Sequence, residues 1–303
     1  MQHPSYLYTG TVIGTDKLKV VPATPTYTVP GNQDVKVGSA LSVFTSIAPA
    51  NATGVDGATV AGTITWYSDS NCTTAAQESD VSGLAVGATK TLYWKFVPGN
   101  TNYEAVTGST LFTIVEGDPQ TLSFTSYSVT KTYGDANFTN AAANDRGDGG
   151  AITYASNNMN IAEVNATTGE VTIKKAGTAV ITATAAAVPG QYAQGVKSYT
   201  LTVNPKAITV TVQQAERKFG EANPTFAIET PASGVLVGSD TVDSLGLGLQ
   251  CAANATSPVG SYNVVGDGSY NANYAITING TGKLKVSRAD AAAIGEQKQS
   301  HKY

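Results

Sequence analysis

Two histidines, His3 and His301, are the only imidazoles in 303 residues, and each lies within three residues of an end. A Ser-His-Asp or Cys-His arrangement, or a histidine-based zinc site, needs an imidazole held in a folded pocket. Chain ends are where order is lost first, so neither histidine suits that task. Serine and threonine abound, but without a base they are not nucleophiles. Paired carboxylates for glycoside cleavage would need a cleft to face each other, and nothing in the sequence points to one. Cys72 and Cys251 lie far apart and read as two unpaired, buried or half-buried thiols. The chain reads as no enzyme, with no catalytic residue and no cofactor.

What remains is binding chemistry. Arg146-Gly147-Asp148 sits in the polar, glycine-rich run Asn144–Gly150, where an Arg and an Asp could bracket an integrin-type receptor and its metal. Asp135, Asp145 and Asp148 offer hard oxygen ligands on loops, which suit Ca²⁺, although no EF-hand spacing is present. Solvated loop acids account for the same pattern. Tyr67 and Tyr93 point outward from alternating strands and could stack a sugar ring. They serve equally as a cross-strand pair.

The elements that would hold these residues are strands. Ile152–Ala185 contains three short alternating runs joined by turn chemistry. Val171 and Ile173 alternate with Thr172 and Lys174, the period of a strand with one buried face. Gly169 supplies the positive φ for the turn before them. In Thr63–Tyr67 and Thr91–Phe96 the same alternation puts Ile64, Trp66, Leu92, Trp94 and Phe96 on one buried side. Charged residues make up 13% of the chain, against about a quarter in ordinary domains, while the hydrophobic 41% suffices for cores. A net charge of −4 gives no footprint for nucleic acid, and no apolar run reaches the length of a membrane-spanning helix.

Three features recur in the same order. A strand end followed by Gly occurs at Gly38, Gly134 and Gly220, where a bend or bulge would clash with a Cβ. A Gly opens a late strand at Gly87, Gly177 and Gly260, intervals of 90 and 83 residues. A turn ending in Tyr precedes a last strand at Tyr103, Tyr192 and Tyr274, each expected to bury its ring and tie its hydroxyl to a nearby carbonyl. A period near 90 with many short strands predicts three immunoglobulin-type sandwiches.

The words IAEVNATTGEVTIKKAGTAVITATA resemble the bacterial immunoglobulin-like (Big) domains of cell-surface adhesins, a likeness covering residues 119–205. Ile208-Thr209-Val210, Phe219-Gly220-Glu221-Ala222-Asn223-Pro224 and Gly280–Val286 resemble the glycine-rich, mostly-β MBG-type repeat. Trp66 with Phe96-Val97-Pro98 and Asn102-Tyr103 resembles another repeat of Gram-positive surface proteins. The resemblance implies a scaffold, not a reaction, and an extracellular place, on a bacterial surface or secreted. Some surface domains of that kind crosslink a Lys to an Asn. Lys131 or Lys206 with Asn279 would be the residues here.

The expected architecture is all-β. It comprises 1–21, the last strands of a preceding MBG-type module; 22–117, a first Ig-like module; 118–205, a Big-type module; 206–287, an MBG-type module; and 288–303, a tail or the start of a next module. The proline-bearing joints Gly117-Asp118-Pro119 and Asn204-Pro205-Lys206 should be stiff, so an elongated rod is expected, its modules unfolding almost independently. Neither end carries a signal or sorting motif, as in an excerpt of something longer. The function expected is a non-catalytic stalk that presents a binding tip. The alternatives are a glycan-, matrix- or host-receptor-binding module acting through loop 140–150, an accessory part of a carbohydrate-active enzyme, or a filament subunit. In the last, strands within 6–20 would add to the edge of a neighbouring copy.

Overall fold

The computed structural model describes residues 10–12 and 18–290. Strands dominate, with one five-residue helix and two 3₁₀ turns among the described residues. The chain divides into two compact units: Met1–Ser123 with Ala143–Ile152 and Thr184–Lys197, and Phe124–Ala142 with Thr153–Ala183 and Ser198–Tyr303. The boundary runs inside the stretch 118–205, whose two ends therefore fold with different units.

In the first unit a five-stranded sheet runs in the order Gln33–Lys36, Val106–Val115, Thr89–Pro98, Thr59–Tyr67, Asn51–Thr53. Its first pair is parallel and the rest are antiparallel. Alternation sorts the side chains: Trp66, Leu92, Trp94, Phe96, Phe112 and Ile114 are buried on one face. Tyr27 stacks on Phe96 at 4.2 Å and meets Trp94 edge-on at 5.4 Å, covering that face. The helix Leu41–Thr45 adds Phe44, edge-on to Phe112 at 5.0 Å. A helix this short is not stable alone. Its first turn is held from afar, where the Leu41 N–H donates to Glu78 Oε2 at 3.0 Å.

Gly10–Val12 and Leu18–Val20 pair with each other, antiparallel, in a two-stranded sheet. The two strands of the segment expected to add to an edge thus pair with each other, and Leu7 and Ile13 of that expectation lie outside the described residues.

The second unit holds most of a four-stranded sheet, Ile152–Ser156, Gly177–Ala185, Gly195–Asn204 and Ser128–Thr132, the last pair parallel. A three-stranded sheet, Phe138–Thr139, Glu170–Ile173 and Ala162–Val164, also lies in this unit. The residues that strand Gly177–Ala185 buries are Ala179, Ile181, Ala183 and Ala185, so small side chains line this core. Gly169 adopts φ +71°, as the turn requires, and a Cβ there would lie 3.0 Å from the Tyr154 ring. Farther along, Lys206–Thr211 pairs in parallel with Tyr274–Asn279, and Ala215–Lys218 with Leu284–Ser287. Two apolar clusters form there, one around Val212, Val264 and Leu284 and one around Ile208, Val210 and Leu245.

The Tyr199 hydroxyl is buried with no hydrogen-bond partner among the described residues. Burial pushes its pKa up to about 12, with the neighbouring Tyr154 adding to the rise. Tyr199→Phe removes the orphan at constant shape, so stability should stay level or rise by up to about 1 kcal/mol. Because the folded state holds this proton more tightly, its contribution is whole below pH 10 and fades as pH climbs toward 12. The urea midpoint should therefore fall between pH 8 and 11, and fall less in Tyr199→Phe. An equal fall in both chains would refute the assignment.

Candidate functional site

The Arg-Gly-Asp loop is built around a residue that sequence reasoning missed. Gln120 is 6% exposed, and its amide makes four hydrogen bonds. Its Nε2 donates to the carbonyls of Ala186 at 2.9 Å and Ala193 at 2.6 Å. Its Oε1 accepts from Asn144 Nδ2 at 2.9 Å and from the Gly150 N–H at 2.7 Å. The two ends of the run 144–150 are thereby pinned to one buried amide. Next to it, Asp145 Oδ1 accepts the Thr121 N–H at 2.8 Å while the Asp145 N–H donates to the Thr121 carbonyl. That backbone donor holds the Asp145 carboxyl below the usual carboxylate range.

The charged ends of the tripeptide both turn to Tyr192. The Arg146 guanidinium lies over its ring, 5.4 Å from the centroid, and Arg146 Nε donates to the Pro119 carbonyl at 3.3 Å. The Tyr192 hydroxyl donates to Asp148 Oδ1 at 2.9 Å, and this bond is the chief reason its pKa is raised.

The acids named as calcium ligands each serve their own turn. Asp135 Oδ2 accepts the Thr132 N–H at 2.9 Å, Asp145 caps Thr121 and Asp148 takes the Tyr192 hydroxyl. Among the described residues no group of three or more His, Cys, Asp or Glu is placed to hold a metal ion. Tyr67 and Tyr93 are brought together as direct partners across an antiparallel pair, both half-buried. Lys131 Nζ sits 4.8 Å above the Phe138 ring, and Lys206 Nζ donates to the Gly234 carbonyl at 2.8 Å. Lys206 pairs with Tyr274 while Asn279 pairs with Thr211 at the far end of the ladder, so this geometry does not bring Lys206 to Asn279. Cys72 and Cys251 are free and half-buried, and burial pushes the Cys72 thiol up. His3 and His301 lie outside the described residues. An open cleft of about 540 Å³ in the second unit is lined by Phe226, Ile228, Asp243, Leu247 and Leu249 among others. It gathers one acid and no base.

The recurring glycines and tyrosines turn out to be parts of one device. Gly38, Gly134 and Gly220 adopt φ +79°, +92° and +93°, each the third residue of a tight turn rather than a bulge. In every copy the residue after the Gly donates its N–H back to the turn's first carbonyl: Ser39 to Lys36, Asp135 to Thr132, Glu221 to Lys218. The residue before the Gly donates to a closing strand: Val37 to Val115, Tyr133 to Asn204, Phe219 to Ser287. Tyr103, Tyr192 and Tyr274 each pair in parallel with an earlier residue, Ala23, Asp118 and Lys206 respectively. The expected tie from tyrosine hydroxyl to carbonyl is replaced by carboxylates, Asp148 for Tyr192 and Asp240 for Tyr274.

Two of the three glycine turns receive the next stretch of chain. At Gly38 a Cβ would meet Pro189 Cβ at 2.8 Å, the Gly190 N–H donates to the Val37 carbonyl at 2.8 Å, and Lys36 Nζ pairs with Asp118 at 2.7 Å. At Gly134 a Cβ would meet Val237 Cγ2 at 2.6 Å. There the Tyr133 hydroxyl donates to Asp240 Oδ2 at 3.0 Å, beside the Tyr274 hydroxyl at 2.6 Å, and the two rings meet edge-on at 5.5 Å. Burial pushes the Tyr274 hydroxyl up to about 12, and its bond to Asp240 adds to the rise.

Residues 208–285 match the model of the MBG domain (YGX type), and residues 137–187 that of the intimin immunoglobulin-like domain. No curated protein matches the chain. Among solved structures, mouse clustered PcdhgC3 EC1-3 is 13% identical, covering 62% of this chain and 74% of its own, at a TM-score of 0.25. Human CDH23 EC21-23 is 13% identical over 59% of this chain and 63% of its own, at 0.25. Mouse Cadherin-23 EC22-24 is 18% identical over 59% and 64%, at 0.24. TM-scores this low carry no argument. Two stretches of the chain thus resemble repeat types of bacterial surface proteins, residues 137–187 the intimin immunoglobulin-like domain and residues 208–285 the MBG domain (YGX type).

Proposed function

We propose that this chain is a non-catalytic stalk segment of a bacterial cell-surface adhesin, made of tandem Ig-like modules that hold a binding tip away from the cell. The observation that carries this reading is the repeated joint. A glycine turn closes each repeat, and twice a loop of the following stretch seats on it through backbone and side-chain contacts. Such a joint spends surface on the next module rather than on a ligand. Proline at both joints restrains the backbone further. The site residues fit the same picture, since Arg146, Asp145 and Asp148 hold turns together.

The test has two arms. Small-angle scattering of the full chain should give a maximum dimension and cross-section of modules in series; a compact particle would contradict the stalk. A glycan, matrix-protein and integrin binding screen on residues 22–287 should be blank, because the binding tip lies elsewhere. Saturable binding lost in Asp148→Ala would move the function to the loop 140–150 instead.

A further inference from the structure

The third copy of the glycine turn is built like the other two, and Lys218 pairs with Asp290 as Lys36 does with Asp118, but among the described residues nothing seats on its glycine. Its frame is rigid. Arg217, 4% exposed, donates from Nε to Asn223 Oδ1 at 2.8 Å, from Nη1 to the Lys218 carbonyl at 3.2 Å and from Nη2 to the Asn254 carbonyl. Asn223 in turn donates to the Ala253 carbonyl at 2.6 Å. The Lys218 N–H is capped by Glu221 Oε2 at 2.8 Å, as Thr132 is by Asp135, and the Gly220 N–H donates to the Ala255 carbonyl at 3.0 Å. A buried guanidinium whose bonds among the described residues go to neutral oxygens is costly to install. Here it fixes a turn whose apolar tip stays partly exposed.

That tip is Phe219, 44% exposed, at the position of Tyr133 and Val37. Around a Cβ built on Gly220 no atom of the described residues lies within 4 Å, where Gly38 and Gly134 each meet a neighbour below 3 Å. Val259 is 54% exposed immediately before Gly260, and Gly260 and Lys218 pair with the adjacent strand at Val286 and Ser287. Phe219 and Val259 therefore share one end of the sheet Ala215–Lys218, Leu284–Ser287, Gly260–Tyr262. The equivalent of Val259 in the preceding copy is Ala176, whose N–H is taken by Asn273 Oδ1 at 2.9 Å. Each element of the empty end has a filled precedent in this same chain.

We infer that the end face formed by Phe219, Gly220 and Val259 is a docking surface for the proximal end of a further Ig-like β-module in tandem. The chemistry of the occupant follows from the filled copy. At Gly134 the seated groups are a branched aliphatic side chain, Val237, over the glycine and an aromatic ring, Tyr274, edge-on to Tyr133. Phenylalanine keeps the ring contact and drops the hydroxyl. The occupant must therefore offer an aliphatic knob and a ring edge, and needs no carboxylate corresponding to Asp240. Gly220 leaves room for the knob to approach the backbone.

This inference rests on the tandem-module reading, and the two fail by different measurements. The probe is the third repeat itself: residues 206–287 joined again after Arg288, in register with the existing joint, compared with the full chain. Hydroxyl-radical footprinting reads the native Phe219 ring. Its oxidation should fall several-fold in the extended chain, while that of Tyr127, 50% exposed, stays unchanged. Phe219→Ala should lower the melting temperature of the added repeat by about 5 °C and leave that of the unextended chain nearly unmoved. Equal oxidation of Phe219 in both chains overturns the docking surface. So does protection that rises with concentration in the unextended chain, which would give the face to a second copy. A shift of the same size in both chains on Phe219→Ala makes the ring merely structural and overturns it as well. A bare Phe219 in a chain that scatters as modules in series would leave the stalk standing.

Discussion

Replacing Gln120 by Leu should destabilise the first unit by about 3–5 kcal/mol, because four partners of one buried amide lose their bond at once. Asn144 Nδ2 and the Gly150 N–H would have no acceptor, and the Ala186 and Ala193 carbonyls no donor. A buried orphan of this kind costs about 1–3 kcal/mol, discounted here because the run 144–150 can relax toward water. Gln120→Glu separates the terms. It keeps the acceptor facing Asn144 and Gly150 but turns an oxygen toward two carbonyls, which only a protonated carboxyl tolerates. Its folded pKa is then raised above the unfolded value of about 4.3. Stability is present below that value and lost as pH rises through the folded pKa. Urea titrations of Gln120→Glu at pH 4 and pH 7 should differ by several kcal/mol after subtracting the parent's own change. Equal losses at both pH values would show that the amide is not the hub.

Gly134→Ala should cost about 2–3 kcal/mol, and the comparison with Gly220→Ala isolates why. The two glycines share a left-handed backbone, φ +92° and +93°, so each alanine incurs about 1–2 kcal/mol of strain. Only at Gly134 does the new methyl also strike a neighbour, Val237 at 2.6 Å. The excess over Gly220→Ala therefore measures the seating of the following stretch. Gly38→Ala, facing Pro189 at 2.8 Å, should show the same excess in the first unit. If all three substitutions cost the same in equilibrium denaturation, the turns close their own repeats and couple nothing. The expectation that modules unfold almost independently would then be met. The contacts at Tyr133, Asp240 and Tyr274 argue for coupling instead.

Local patterns were legible and distant partnerships were not. The alternation of Thr63–Tyr67 and Thr91–Phe96 placed Trp66, Leu92, Trp94 and Phe96 inside correctly, with Ile64 on the same face only partly buried, since a strand's period is fixed by its own backbone. Gly169 was readable for the same reason. The three glycines were found by spacing, but a tight turn was not told from a bulge, and the strand each turn closes against lies some seventy to eighty residues later. Gln120 carries no local signal at all. It is a single polar residue beside Pro119, and its four partners lie between 24 and 73 residues away. The short helix Leu41–Thr45 is hidden likewise, because its first donor is satisfied by Glu78 from outside the segment. Arg146 and Asp148 were singled out as a receptor motif. Their attachment to Tyr192 depends on a turn read separately as architecture.

The parallel ladders have a mechanical consequence. Gln33–Lys36 lies parallel to Val106–Val115, Ser128–Thr132 to Gly195–Asn204, and Lys206–Thr211 to Tyr274–Asn279. In each case an early strand is bonded to a late one running the same way. Tension applied through the two ends of a repeat pulls the partners in opposite directions along their length. All the rungs of the ladder then resist together in shear, and none can be opened one at a time as in a zipper. A chain held at both ends under load would keep these strand pairs closed until the whole ladder slips.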